Sequence, residues 1–209
     1  MPAAKYQVCA CGLPGSDSNG SRLQELLNSR FEKLKSLVAE WLVADEDITL
    51  AQVIGKMLRQ SKQTVATAES CTGGHIAHLI TSVAGSSAWF KGSVISYANE
   101  VKENILGVQK STLQSVGAVS EETVRQMVSG IMEKIQTDYA VATSGIMGPD
   151  GGTAGKPVGT VWVSAGSPNK TIAAKFHFRY DRARNIEMTS YYALNLLRKL
   201  MTEEGVSLL

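Results

Sequence analysis

Two short runs constrain this chain more than anything else in it. "TVATA", residues 64–68, is small, apolar and β-branched, which suits a strand buried on both faces. It breaks into Glu69, Ser70, Cys71 and Thr72, passes Gly73 and Gly74, and resumes as "HIAHLI", apolar at helical spacing. "YAVATSG", residues 139–145, likewise runs from a strand straight into a glycine-rich loop, "GIMGPDGGTAGKPVG". In open α/β sheets ligands gather at the carboxyl ends of strands, where loops open toward helix starts. If these two strands are neighbours, their loops face each other across one crevice. Small residues and glycine there let backbone N–H groups approach a ligand closely.

The rest of the chain supplies the layers. From Ser21, the residues Leu23, Leu26, Leu27, Phe31, Leu34, Leu37, Val38, Trp41 and Leu42 recur at three- and four-residue steps, one apolar helix face that has to dock on something. "ADEDI" ends it, and Thr49 with Gln52 forms a capping box for a second helix. "GSVISYA" reads as a strand, "NEVKENILG" as a helix beginning at Asn99, and Ser120 caps a helix whose first turn carries Glu121 and Glu122. "TVWVSAG" and "KTIAAKFHFRY" flank "SPN", a hairpin, with Ile172, Ala174, Phe176, Phe178 and Tyr180 on one face. A last helix begins near Asp181 and carries Met188, Tyr191, Tyr192, Leu194 and Leu197. Helices alternating with strands, plus a late hairpin, predict a three-layer α/β/α sandwich with a mixed, mostly parallel sheet. The division expected is an amino-terminal extension over residues 1–45, comprising the short strand "KYQVCACG", a loop and the amphipathic helix, followed by one domain over 46–209.

Composition narrows the function classes. At 209 residues the chain can bury one sizeable core. Lys+Arg 21 against Asp+Glu 19 leaves a net charge of +2, too small and dispersed for a nucleic-acid groove. Cys9, Cys11 and Cys71 are an odd number, and the Cys9-x-Cys11 spacing lacks the second pair a zinc site needs. They read as reduced thiols, and no metal is expected. No apolar run approaches the ~18 to 20 residues of a membrane span, and no basic-then-apolar leader opens the chain, so a cytoplasmic protein without membrane partners is expected.

The candidate chemistry is nucleophilic. Ser70 attacks nothing at neutral pH without a base. His75 and His78 sit three apart in a helix and His177 lies in a hairpin strand, so all three read as structural. Lysine is the remaining base, and Lys102 lies one turn into "NEVKENILG". To serve, its pKa must fall from ~10.4 toward ~7 to 8, roughly 4 kcal/mol of ammonium destabilisation. By spacing alone a solvated lysine is the commoner outcome, and Cys71 rivals Ser70 as nucleophile.

Four blocks in order and spacing, "TVATAESCTGG", "VISYANEVKENILGV", "GAVSEETV" and "SGIMGPDGGTAGKPVGTVW", closely resemble the CinA carboxy-terminal domain family, which includes stand-alone nicotinamide mononucleotide deamidases. The resemblance covers about Leu50 to Leu200, and residues 1–45 are weakly similar to the tail of the preceding domain in longer CinA proteins. It implies hydrolysis of the carboxamide of nicotinamide mononucleotide to nicotinic acid mononucleotide and ammonia, without cofactor or metal, by a dyad falling on Ser70 and Lys102, and it implies a homodimer. It further implies that Tyr97 and Thr72 orient the dyad or substrate, and that N–H groups near Gly73, Gly74 or Gly145 hold the oxyanion. Ser144 joins Gly145 among the substrate-binding residues, with Gly148, Gly151, Gly152 and Lys156 as phosphate candidates. At the last helix Asp181 and Arg182 match the family pattern, whereas Tyr180 replaces a glycine and Ile186 a second arginine, and Arg184 points away from that helix face. The alternative reading is therefore a catalytically weak or silent nucleotide-binding or partner-interaction domain of a competence/damage-inducible CinA-like protein.

Overall fold

The structure, a computed structural model, describes residues 20–38, 42–44 and 46–207. It divides between Ile48 and Thr49 into two compact units. In the first, helix α1 spans Gly20–Leu37. On the apolar face expected to dock, Leu23, Leu26, Leu27, Leu34 and Leu37 are exposed, whereas Phe31 and Val38 are half-buried. The anticipated strand with Cys9 and Cys11, and Trp41, lie outside the described residues.

The second unit opens with α2, Leu50–Ser61, behind the expected capping box: Gln52 N–H donates to Thr49 Oγ1 and Thr49 N–H to Gln52 Oε1. There follow β1 (Val65–Glu69), α3 (His75–Thr81), β2 (Phe90–Ile95), α4 (Asn99–Asn104), α5 (Lys110–Ser115), α6 (Glu121–Ile135), β3 (Tyr139–Gly145), β4 (Thr160–Gly166), β5 (Thr171–His177) and α7 (Arg182–Glu203). The sheet order is β2-β1-β3-β4-β5. β1 pairs in parallel with both β2 and β3, and β4 runs antiparallel to both β3 and β5. The sheet is therefore mixed, with β4 reversed, and helices flank it as a three-layer sandwich.

Each layer follows from its residues. β1 and β3 present alanines, Ala66, Ala68, Ala140 and Ala142, to α6, so the helix lies close and inserts Val124, Met127, Val128 and Ile131. Gly130 lets α6 meet the chain after α4, because a Cβ there would stand 1.8 Å from the Leu106 carbonyl oxygen. The opposite face takes α2, α3 and α7, with Ile54, Leu58, Ile76, Ile80, Leu194 and Leu197 fully buried. Such side chains each stabilise the fold by about 1.5 to 3 kcal/mol.

Two local expectations are corrected. α5 was not anticipated, since "KSTLQS" has no apolar period and none of its residues is buried. Tyr180 does not share the β5 face: the strand stops at His177 and Tyr180 is exposed. Of the residues expected on the last helix, Leu194 and Leu197 are buried and Tyr191 is exposed. Among the described residues no helix is long and apolar enough to cross a membrane.

Candidate active site

β1 and β3 are neighbours, so the loops that leave their carboxyl ends do meet. After Glu69 the chain leaves the sheet in a tight turn: Ser70 N–H still donates to Thr143 O at 3.0 Å, and Gly73 N–H closes back on Ser70 O at 3.2 Å. Gly73 and Gly74 take φ of +60° and +97°, a region open to glycine at little steric cost. That turn lifts the Ser70 side chain toward a cleft of about 210 Å³ lined by Ser70, Cys71, Tyr97, Asn99, Lys102, Ala118, Val119, Ser144, Gly145, Met147 and Arg182.

Lys102 is 1% exposed and its Nζ lies 3.1 Å from Ser70 Oγ. The same nitrogen donates to the carbonyls of Ser96, at 2.6 Å, and Tyr97, at 3.3 Å. A neutral amine has two N–H donors and one lone pair. With the two carbonyls taking the donors, the lone pair is left for the serine hydroxyl. Burial lowers the lysine pKa. A thiolate at Cys71 would oppose this, but burial pushes that thiol up to about 12, so at neutral pH the thiol carries no charge. A thiol held protonated is a poor nucleophile, which favours Ser70 over Cys71.

Of the other residues singled out, Tyr97, Ser144, Gly145 and Arg182 line the cleft, whereas Thr72, Gly73, Gly74, Gly148, Gly151, Gly152 and Lys156 do not. Tyr97, 64% exposed, is reached at two places: its carbonyl holds Lys102, whereas its phenol oxygen accepts from Arg182 Nη2 at 3.2 Å. Arg182 Nη1 also donates to Gly148 O, so the guanidinium bridges both rims of the cleft. Ser144 Oγ donates to Ala118 O, bracing the Ala118–Val119 wall. Thr72 is buried and spends its hydroxyl on Glu69 and Thr143. Gly74 N–H is bound to Glu69 Oε2 and Gly73 N–H to Ser70 O, so neither is available to an oxyanion. Among the described residues no oxygen accepts from the N–H of Cys71, which lines the cleft. Gly151 and Gly152 shape the second loop outside the cleft, and Lys156 Nζ donates to Val116 O. Arg184 pairs with Glu187 beside a separate, more open groove of about 440 Å³ that also touches His75.

Two buried residues escaped the sequence reading. Glu69, fully buried, gathers the nucleophile turn onto its carboxylate. Its signal was a carboxylate ending an apolar strand, a costly placement unless it is fully hydrogen-bonded. Asn185, also fully buried, donates to Met147 O and Tyr180 O and accepts from Tyr180 N–H, tying the cleft wall to the start of α7. Nothing in the local pattern set it apart from a solvated helix residue.

A model of the CinA C-terminal domain family matches residues 47–201. A CinA-like protein from Cytophaga hutchinsonii is 40% identical over 191 residues, 91% of this chain and 46% of that relative. A putative competence-damage inducible protein from Halothermothrix orenii is 38% identical over 190 residues, covering 90% of this chain and 46% of its own length. The chain thus spans about half the length of these curated relatives. Among solved structures, the competence/damage inducible protein CihA from Agrobacterium tumefaciens aligns with a TM-score of 0.71 at 38% identity, covering 72% of this chain and 93% of that one. A competence-damaged protein (CinA) superfamily protein from Enterobacter cloacae aligns with a TM-score of 0.68 at 33% identity, covering 76% and 96%.

Proposed function

This chain belongs to the CinA C-terminal domain family, and on that premise we propose that it hydrolyses the carboxamide of nicotinamide mononucleotide to nicotinic acid mononucleotide and ammonia. The observation that carries the reading is the buried amine of Lys102, 3.1 Å from Ser70 Oγ at the end of a cleft. Ser70 Oγ attacks the carboxamide carbon while Lys102 Nζ takes its proton. The backbone donor offered to the oxyanion that forms is the N–H of Cys71, a residue that lines the cleft; one such donor is worth about 2.7 to 4 kcal/mol in other hydrolases. Lys102 then gives its proton to the amide nitrogen, the C–N bond breaks and ammonia leaves. Water attacks the resulting ester, Lys102 accepts the water's proton, and its return to Ser70 Oγ frees the acid. Ala118, Val119 and Met147 offer an apolar wall for the pyridine ring, and Arg182 at the rim offers a guanidinium to the phosphate.

The test is ammonia release by purified protein from a panel of pyridine nucleotides, read beside thermal stabilisation by each. Release from the mononucleotide that is lost in Ser70→Ala supports the reading. Stabilisation without product would favour the silent nucleotide-binding alternative, for which Ile186 in place of a cationic partner for Arg182 speaks. Arg182→Ala is expected to raise KM about tenfold, the equivalent of one lost charge-assisted contact, with a smaller change in kcat. An unchanged KM in steady-state assays would remove Arg182 from phosphate binding. Cys71→Ala is expected to keep kcat within about threefold, because its thiol is neutral and unused. A collapse of activity in that variant would reinstate the thiol.

A further inference from the structure

We infer that Glu69 is a positioning residue for Ser70, a carboxylate sealed beneath the turn that ties the backbone after the nucleophile to the strand before it. The inference rests on the amide-hydrolase reading for its kinetic consequence and on geometry alone for its structural one. Oε1 accepts from Thr67 Oγ1 at 3.3 Å and Ala77 N–H at 2.8 Å, and Oε2 from Thr72 Oγ1 at 2.7 Å and from the N–H groups of Gly74 and Ile76, each at 3.0 Å. A carboxylate offers about four lone-pair sites, so these five donors saturate it. They reach from the strand before Ser70 to the first turn of the helix after it.

The contacts also close a ring around the nucleophile. Ser70 N–H donates to Thr143 O, Thr143 Oγ1 meets Thr72 Oγ1 at 2.9 Å, and Thr72 Oγ1 donates to Glu69, which is bonded to Ser70 through the chain. Rotation of the Ser70 peptide therefore has to break a buried hydrogen bond. A simple helix cap would need one or two of these bonds; the additional hold on Thr67, and through Thr72 on Thr143, links the turn to β1 and β3. Glutamine cannot substitute faithfully. It has one acceptor oxygen, and its NH2 would face either Ala77 N–H or those of Gly74 and Ile76, which cannot reverse direction as a hydroxyl can. A displacement of about 1 Å at a reacting group costs on the order of 100-fold in rate.

The experiment compares Glu69→Gln, Thr72→Val and Thr72→Ser with the wild type in steady-state ammonia release and amide hydrogen exchange. Glu69→Gln is expected to lose about 100-fold in kcat with KM within about threefold, and to exchange faster only over residues 72–77. Wild-type kcat, or a loss confined to KM, overturns the proposal. Should Glu69→Gln not fold, the threonine pair decides: Thr72→Val, isosteric but without its donor, loses about tenfold in kcat while Thr72→Ser recovers to within about threefold. Equal kcat in Thr72→Val and wild type overturns it. If the wild type releases no ammonia from any nucleotide, the hydrolase reading fails separately, and exchange still judges the turn: unchanged protection over 72–77 in the variants rejects positioning, and faster exchange there supports it.

Discussion

Lys102→Met is expected to lower kcat for carboxamide hydrolysis by about 10³-fold or more while the protein stays folded. Among the described residues no histidine or carboxylate lines the cleft to replace the amine. His75 is engaged with Ser190 Oγ at 2.9 Å, neither His78 nor His177 lines the cleft, and the Cys71 thiol stays protonated. Methionine nearly matches the lysine stem in length, so the buried slot stays filled. Its cost is the loss of donors to Ser96 O and Tyr97 O, about 1 to 3 kcal/mol for each carbonyl left unpaired in the interior, set against relief from burying an amine. Ser70→Ala is expected to fall as far, and the double variant no further than either single one, because nucleophile and base act as one unit. Ammonia release under saturating substrate measures all three. More than a tenth of wild-type turnover in Lys102→Met would mean that another group accepts the serine proton.

Why this pair was legible only in part follows from what a linear pattern encodes. The strand-turn-helix at 64–81 and the glycine loop after β3 were readable because β-branched runs, glycines and helical spacing act over a few residues. Their meeting was conditional on β1 and β3 pairing, a contact 74 residues apart in sequence between Val65 and Tyr139. Lys102 read as an ordinary solvated lysine, since burial is a property of what closes around a residue: here the Ser70 hydroxyl and the carbonyls of Ser96 and Tyr97 surround its amine. Four blocks of family resemblance pointed to it where spacing alone did not.

The same reasoning applies to the residues expected to bind substrate. Thr72, Gly73 and Gly74 look like ligand-facing small polar residues, yet their donors are drawn inward by Glu69 and the turn itself. Lys156 looks like a phosphate anchor in a glycine loop, but its nitrogen bonds to the Val116 carbonyl. Competition between internal acceptors and ligand is decided by three-dimensional proximity, which glycine content does not report. The exposed leucines of α1 show the same limit from the other side: periodicity identifies an apolar face without naming what covers it.

Lys102 also makes a prediction that involves no substrate. Its pKa is lowered by burial from an ordinary 10.5, so between the lowered value and 10.5 the native amine is neutral while the unfolded one carries a proton. In that window the unfolded state binds more protons, and stability rises with pH by up to about 1.4 kcal/mol per unit; below it both states are protonated and the full desolvation penalty stands. Cys71 works in the opposite direction, because its folded pKa of about 12 exceeds the ordinary 9.0 and stability falls as pH rises above 9.0. Tyr139, raised from 10.0 to about 12 by burial and then by its bond to Glu204, adds a similar fall above 10.0. The raw stability curve mixes all three, so the comparison belongs in a Cys71→Ala background, with and without Lys102→Met, by urea unfolding between pH 6 and 9.5. Subtracting the two curves cancels Tyr139 and leaves the lysine, and the difference should grow in favour of the lysine-containing protein as pH rises. The pH at which that growth begins should match the acid limb of kcat/KM, since both report loss of the same proton from the free enzyme. A difference that stays flat across the range would mean that the amine remains charged in the folded protein, and a lysine held as ammonium cannot take the proton from Ser70.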